Sequence, residues 1–456
     1  GVGIDRKVPT LPIALHAEYF AGSDIDAPGE RVHQVEQSAA EFFHLGAPPD
    51  APEPFTVRAT GTFTPDAGGS YVFSLVQAGR ARLSVDGAVV IDGVTDPMPR
   101  DRNAYFGFGS DERTAVVDLE AGRAVDVVIE YTSRGAGGVY AARVGARPEV
   151  PSDAMDVAIA AARDADAAVV VVGTTDEWES EGFDRTTLQL PGDQDHLIER
   201  IAAANPNTVV VVNTGAPVEM SWVDAVPAVL QLWFGGQEMA NALADVLTGA
   251  TEPGGRLPTT IPLRLEHNPS FGNFPGEHDE VRYGEGLLVG YRWYDARHLP
   301  VRFPFGHGLS YTSFEIGEPA VSTTHVAPGD VVTVDVPVTN TGARAGSEVV
   351  QCYVAPPNGR ITRPPKELKA FAKVHLQPGE STTVQLTLTE RAFAVWDRGS
   401  GQRAELKARL PFADMMAPAS GREPGWRVHA GTYVVHVGRS SAELVHSIPV
   451  EVDASS

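Results

Sequence analysis

Cysteine is almost missing from this chain. A single Cys352 among 456 residues cannot form an intrachain disulfide, and one thiol cannot assemble a zinc cluster. Its expected role is that of a small buried hydrophobe. Basic residues are also scarce, with Lys+Arg 36 against Asp+Glu 59 and a net charge of -23. A field of that sign repels phosphate backbones, so a nucleic-acid partner is not expected. Long apolar runs are lacking too: runs such as Ala167 to Val172 and Val209 to Val212 fall far short of the ~20 residues of a membrane span, so no membrane partner is expected. Neither G-x-S-x-G nor a P-loop occurs. The 13 histidines show no ligand-type clustering, so neither a metal site nor a cofactor is expected. The amino terminus, Gly1 to Pro9, shows no basic segment followed by an apolar core. That tilts the compartment toward the cytoplasm over secretion. It also opens without methionine and reads like the middle of something longer.

What is present is a soluble globular composition, 43% hydrophobic and 21% charged, with 46 Gly and 35 Pro to supply turns. At roughly 150 residues per domain the length implies about three domains. From Leu15 to about Val150, short alternating runs such as Phe55–Phe63 and Arg82–Val85 are separated by Gly, Asp and Pro. Period two with frequent turns indicates an antiparallel β-sandwich or barrel, and Asp86-Gly87 is a hairpin signal. At Pro151 the pattern changes. Ser152 is a candidate N-cap for a helix running to Arg163, and helix and strand then alternate: strand Ala167 to Val172, helix Asp195 to Ala204, strand Thr208 to Val212, strand Ala228 to Trp233, helix Glu238 to Thr248. Near-continuous apolar strands between helices predict a mainly parallel sheet. About three strong strands are few for such a layer, which looks partial. After Phe314 alternation returns in Val331–Val338, Ser347–Val354, Ser381–Leu388 and Gly431–Gly438, the pattern of a seven-strand-type sandwich. The polar stretch Arg398 to Gly425 has no clean period and reads as a long loop. The expected architecture is multidomain α/β plus all-β: a linker over 1–14, then domains over 15–150, 151–314 and 315–456.

The most unusual segment follows the strand ending at Val172. Gly173 to Arg185 carries five carboxylates, Asp176, Glu177, Glu179, Glu181 and Asp184, beside one Arg and two aromatics. Loops at the carboxyl ends of strands in open α/β sheets are where ligands bind. Crowded carboxylates raise one another's pKa, and a proton-donating carboxyl is what glycoside cleavage requires. The bland alternative is a solvated acidic loop with Asp184 and Arg185 as a structural ion pair. Gly182, next to Glu181, would let backbone or ligand come close. Tyr283 to Tyr294 places Glu285 among aromatics that either stack on sugars or cover a domain seam. Asn103 to Gly109, an aromatic Gly-rich loop, supplies core rings or a ligand platform, and Trp178 is ambiguous in the same way. Gly235-Gly-Gln-Glu238 reads as a tight strand-to-helix turn.

Taken in order, Glu177-Trp-Glu-Ser-Glu-Gly-Phe-Asp-Arg185, Asn213-Thr-Gly-Ala-Pro-Val-Glu219, Trp233-Phe-Gly-Gly-Gln-Glu238, Pro253-Gly-Gly-Arg-Leu-Pro258, Gly290-Tyr-Arg292, Phe303-Pro-Phe-Gly-His-Gly-Leu-Ser-Tyr311 and Arg363-Pro-Pro-Lys-Glu-Leu368 resemble glycoside hydrolase family 3. The likeness is to the β-glucosidase branch with an inserted protective-antigen-like β-domain, here ~15–150, and a fibronectin type III-like terminal domain. It covers nearly the whole chain. The resemblance implies a retaining mechanism in which a nucleophilic Asp forms a glycosyl-enzyme and a Glu serves as acid, then base. It places the acid/base on Glu181 and puts Phe106 on the aglycone wall. Trp178, in the same loop as Glu181, joins Phe106 as a substrate-binding candidate.

Nothing in the sequence resembles the (β/α)8 barrel that bears the nucleophile in that family, and the first strands of the α/β layer are missing as well. The expectation is therefore one part of a larger exo-acting β-glycosidase. Its partners would be an oligosaccharide or glycoside substrate and a barrel-bearing polypeptide, from the same precursor or a separate chain. Homo-oligomerisation, linkage preference and the choice among glucose, xylose and galactose stay open. A non-catalytic carbohydrate-binding or scaffold protein built from the same modules is the alternative.

Overall fold

A computed structural model describes residues 7–48, 50–101, 104–175, 177–357, 362–397 and 423–454. The carboxylate Asp176, the loop residue Asn103 and most of the polar stretch after Asp397 lie outside the described residues. The chain forms two compact units, one comprising 1–186, 190–215 and 222–231, the other 187–189, 216–221 and 232–456.

In the first unit, alternation builds two antiparallel sheets. Six strands run in the order Arg31–Gln37, Leu15–Ala21, Phe55–Phe63, Val125–Thr132, Arg80–Val85, Ala88–Asp92, and four in the order Glu41–Leu45, Val139–Pro148, Gly69–Ala78, Arg113–Leu119. Inward positions of both sheets share one core containing Tyr19, Phe42, Phe55, Phe73 and Tyr131. The Asp86-Gly87 turn joins its strands with both residues in the left-handed region, φ 50° and 79°, as a tight two-residue hairpin requires. Gly79 has φ 112°, and a Cβ there would sit 2.4 Å from the Tyr131 hydroxyl oxygen. That hydroxyl donates to the Ala78 carbonyl at 2.6 Å.

The same unit continues into helix Ala154–Asp164 and three parallel strands, Ala168–Gly173, Thr208–Asn213 and Ala228–Gln231, with helix Gln194–Ala204 between the first two. Ile159, Ala162, Leu197, Ile198 and Ile201 are buried. Two local expectations need correcting. Ser152 does not cap the first helix, which starts at Ala154 after Asp153 and has no side-chain cap bond. The third strand ends at Gln231 rather than Trp233, because Trp233 takes φ 58° and turns the chain out of the extended region. Among the described residues this sheet has three strands, and Val169 and Val171 on its edge strand are 50% and 57% exposed.

The second unit contains helix Met239–Thr248, helix Tyr291–Arg297 and a further pair of sheets. One sheet is built on Val332–Asn340 with Ser381–Leu388, the other runs His325–Val326, Leu444–Val452, Gly431–Gly438, Gly346–Ala355, Glu367–Leu376. Val332, Val334, Val336 and Val338 all point into their common core, the period-two signature of a half-buried strand. The aromatic segment around Glu285 divides between surface and seam: Tyr283 is 83% exposed, whereas Tyr291 and Tyr294 are buried. The Tyr291 ring stacks on Phe305 at 4.9 Å, and its hydroxyl accepts a bond from the Leu368 N–H at 2.7 Å. Lys366 Nζ meets Asp295 at 2.6 Å. The Gly290-Tyr-Arg292 and Arg363–Leu368 motifs therefore meet as a packing joint.

Cys352 is fully buried in the second core, and burial pushes its thiol up to about 12. A thiol-specific disulfide reagent at neutral pH should therefore find no reactive cysteine in the native protein and one equivalent after denaturation; stoichiometric labelling of the native chain would contradict this packing.

Candidate active site

The site is built outward from the carboxyl end of strand Ala168–Gly173. Gly173 pairs in parallel register with Asn213 of the next strand, so closely that a Cβ on Gly173 would lie 2.1 Å from the Asn213 carbonyl oxygen. No side chain fits there. The same carbonyl accepts the Thr174 N–H at 3.2 Å. Gln194, at the start of the following helix and 1% exposed, ties the strand end from the other side. Its Oε1 accepts the Gly173 N–H at 2.8 Å, and its Nε2 donates to the Gly173 and Pro191 carbonyls, each at 2.9 Å.

From this anchored end the acidic loop rises. Trp178 N–H and Glu179 N–H both donate to the Thr175 carbonyl at 2.9 Å. Beyond them Ser180 and Phe183 pair across a turn, and the Gly182 N–H donates to Ser180 Oγ at 3.1 Å. Glu181 sits at the tip of that turn and is exposed. The other described carboxylates of the loop are not equivalent to it. Glu177 Oε2 accepts from Thr175 Oγ1 at 2.9 Å. Glu179 accepts from Thr174 Oγ1 at 2.9 Å and pairs with Arg185 at 3.3 Å, the two side chains being 15% and 10% exposed. Among the described residues Arg185 pairs with Glu179 rather than with the adjacent Asp184, which is exposed. Burial holds the Arg185 guanidinium below its usual range while the Glu179 charge opposes that.

The aromatic loop of the first unit comes to the same place. Tyr105 and Phe106 both adopt left-handed backbone, φ 47° and 58°, a conformation costing roughly 1–3 kcal/mol for each such residue. Tyr105 turns inward, its hydroxyl donating to Glu41 at 2.9 Å and its ring stacked on Phe43 at 5.8 Å. Burial and the Glu41 charge push the Tyr105 hydroxyl well up. Phe106 turns outward and is 66% exposed. A methyl added at Gly182 would meet Phe106 Cδ1 at 3.9 Å and Ser180 Oγ at 3.6 Å, which is ordinary contact. Phe106 and the Glu181-Gly182 turn are therefore neighbours, and no neighbour among the described residues crowds Gly182. Trp178, on the same loop, is half-buried. Glu285 belongs to the second unit, where Asn273 donates to it at 3.4 Å.

Reading the residues alone included Gly173 and Thr174 in the acidic segment but missed their role, with Gln194, in fixing the strand end; only a glycine closing a run of valines hints at the close approach. What the arrangement offers is an exposed carboxyl on an anchored turn, able to give and take a proton, with a displayed aromatic ring beside it.

Comparison with known proteins shows the family of the chain. The glycosyl hydrolase family 3 C-terminal domain matches residues 46–311 and a fibronectin type III-like domain matches residues 348–441. The chain belongs to glycosyl hydrolase family 3. It is 41% identical over 410 residues to a beta-glucosidase of Rhizobium radiobacter, covering 88% of this chain and 50% of the relative. It is also 41% identical over 361 residues to the probable beta-glucosidase I of Aspergillus terreus, covering 75% of this chain and 42% of the relative. Among solved structures, the beta-glucosidase from Kluyveromyces marxianus in complex with glucose superposes with a TM-score of 0.82 at 34% identity, over 96% of this chain and 50% of that one. DesR, a beta-glucosidase from Streptomyces venezuelae in complex with D-glucose, gives a TM-score of 0.61 at 32% identity, over 86% of this chain and 46% of that one. The chain spans about half the length of the curated relatives it matches.

Two glycines of the site should respond oppositely to alanine. Gly173→Ala forces a methyl into a backbone carbonyl and should cost about 3 kcal/mol, whereas Gly182→Ala should change stability by less than about 1 kcal/mol. Urea unfolding of the two variants measures both, and equal costs would contradict the packing described.

Proposed function

We propose that this chain is the acid/base-bearing part of a retaining, exo-acting β-glycosidase, with β-glucosidase the leading activity, hydrolysing terminal sugars from oligosaccharides or glycosides. The observation that carries the reading is Glu181, exposed at the tip of a turn anchored to the carboxyl end of a parallel strand, in a family 3 chain whose relatives bear the name beta-glucosidase.

In this reading the nucleophilic Asp and most contacts to the terminal sugar lie on a barrel-bearing part outside this chain. Glu181 gives its proton to the glycosidic oxygen as the bond to the leaving group breaks. It then takes a proton from the water that attacks the glycosyl-enzyme. Phe106 and Trp178 flank the aglycone, Phe106 from a loop held open by its left-handed backbone. Residues 15–150 form a protective-antigen-like domain, 151–314 the second part of an α/β sandwich, and 315–456 the fibronectin type III-like domain. The first strands of that α/β layer, supplied from outside this chain, would pair with the open edge strand, and the elements packed on them would cover its exposed valines.

The test is leaving-group dependence in the assembled enzyme. Glu181→Ala should cut turnover by about 100-fold or more on a disaccharide or phenyl β-glucoside, which need protonation. It should cost far less in kcat/KM on 2,4-dinitrophenyl β-glucoside, whose slowed second step azide should relieve by forming a β-glycosyl azide. An unchanged rate on the disaccharide would refute the Glu181 assignment.

A further inference from the structure

The Glu179–Arg185 pair stands out among the ion pairs of the first unit, because it spans the turn that carries Glu181 and little else. Glu179 lies two residues before Glu181 and Arg185 four after it. Their side chains meet at 3.3 Å, and Thr174 Oγ1 holds the Glu179 carboxylate at 2.9 Å. Thr174 in turn follows Gly173, the residue locked to Asn213 and Gln194. A continuous chain of contacts thus runs from the anchored strand end, through Thr174 and Glu179, to Arg185 on the far leg of the turn.

The turn does not need this pair merely to close. The Trp178 and Glu179 N–H bonds to the Thr175 carbonyl, the Ser180–Phe183 pairing and the Gly182 bond to Ser180 already close it. A tie of this burial is also an expensive choice, since desolvation pulls the Arg185 guanidinium below its usual range and well-packed apolar side chains commonly replace such pairs at no loss of stability. A pair of fixed length and direction does supply a set height and orientation of the turn over the strand end. A proton donor must be held within about 0.5 Å of its productive position to be effective.

We infer that Glu179 and Arg185 are positioning residues for the Glu181 carboxyl, forming a clamp that fixes the acid/base against the end of strand Ala168–Gly173. This inference rests on the acid/base reading of Glu181. The clamp touches neither substrate nor reacting atoms and acts only through Glu181. Its loss should therefore appear in the cleavage of bonds that need protonation and vanish in the cleavage of bonds that do not.

The experiment uses the assembled enzyme, this chain together with its barrel-bearing part, and aryl β-glucosides of graded leaving-group acidity. Glu179→Gln should lower kcat about 10–50-fold on phenyl β-glucoside, where bond cleavage limits, and kcat/KM less than threefold on 2,4-dinitrophenyl β-glucoside, with KM for phenyl β-glucoside changed less than twofold. Arg185→Met should do the same, and Arg185→Lys should recover most of the loss. In a Glu181→Ala background, Glu179→Gln should add less than a twofold effect. If Glu179→Gln does not fold, Thr174→Val, which removes only the hydroxyl bond to Glu179, should show the same selective loss at smaller size. Equal losses across all leaving groups, or losses that multiply in the double variant, overturn the clamp. A flat profile for Glu179→Gln beside a steep one for Glu181→Ala overturns the clamp alone; a flat profile for Glu181→Ala overturns the acid/base reading with it.

Discussion

The functional end of this molecule depends on one close approach, the Gly173 backbone lying against the Asn213 carbonyl with no room for a side chain between them. Everything around that contact consolidates it. Gln194 bonds both polar groups of Gly173 from a position 1% exposed, so the strand end has little freedom to fray. Buried amide bonds of this type contribute roughly 1 kcal/mol each when made, and leaving their donors and acceptors unpaired costs more. The strand end is therefore fixed before the loop begins, and a loop can present a carboxyl reproducibly only from such a base.

Above that base the architecture uses conformations that are unfavourable taken alone. Two consecutive aromatic residues, Tyr105 and Phe106, hold left-handed backbone. The strain is opposed by the Tyr105 bond to Glu41 and the ring stack on Phe43, contacts that together are of the same order as the roughly 1–3 kcal/mol each strained residue costs. Without the strain Phe106 would have no reason to stand 66% exposed beside Gly182. The second unit contributes differently. Its motifs meet at Tyr291, Asp295, Lys366 and Leu368, a packing joint rather than chemistry.

Much of the fold was legible because alternation is a local signal. The strands Phe55–Phe63, Ser381–Leu388 and Gly431–Gly438 begin and end where period two begins and ends. The three parallel strands were equally readable, the first two from continuous valines and the third from a short apolar run. The end of the third was not, because a Trp at φ 58° is a tertiary decision that no propensity predicts. In the site, the position of the acidic loop at a strand's carboxyl end followed from the α/β pattern. The Arg185 partner did not: sequence distance favours Asp184, but neighbours in extended chain project to opposite sides, and the turn at Ser180–Phe183 brings Glu179 back instead. Gly173 escaped notice because a contact between two strands 40 residues apart, Gly173 and Asn213, leaves no mark on either strand's own pattern.

The central claim is that this chain carries the proton donor of a glycosidase whose nucleophile lies elsewhere. Hydrolysis of 4-nitrophenyl β-D-glucoside by the purified chain, alone and after assembly with the barrel-bearing part, tests it most directly. The account predicts no turnover by the chain alone and robust turnover on assembly. Sustained turnover by the chain alone would contradict it.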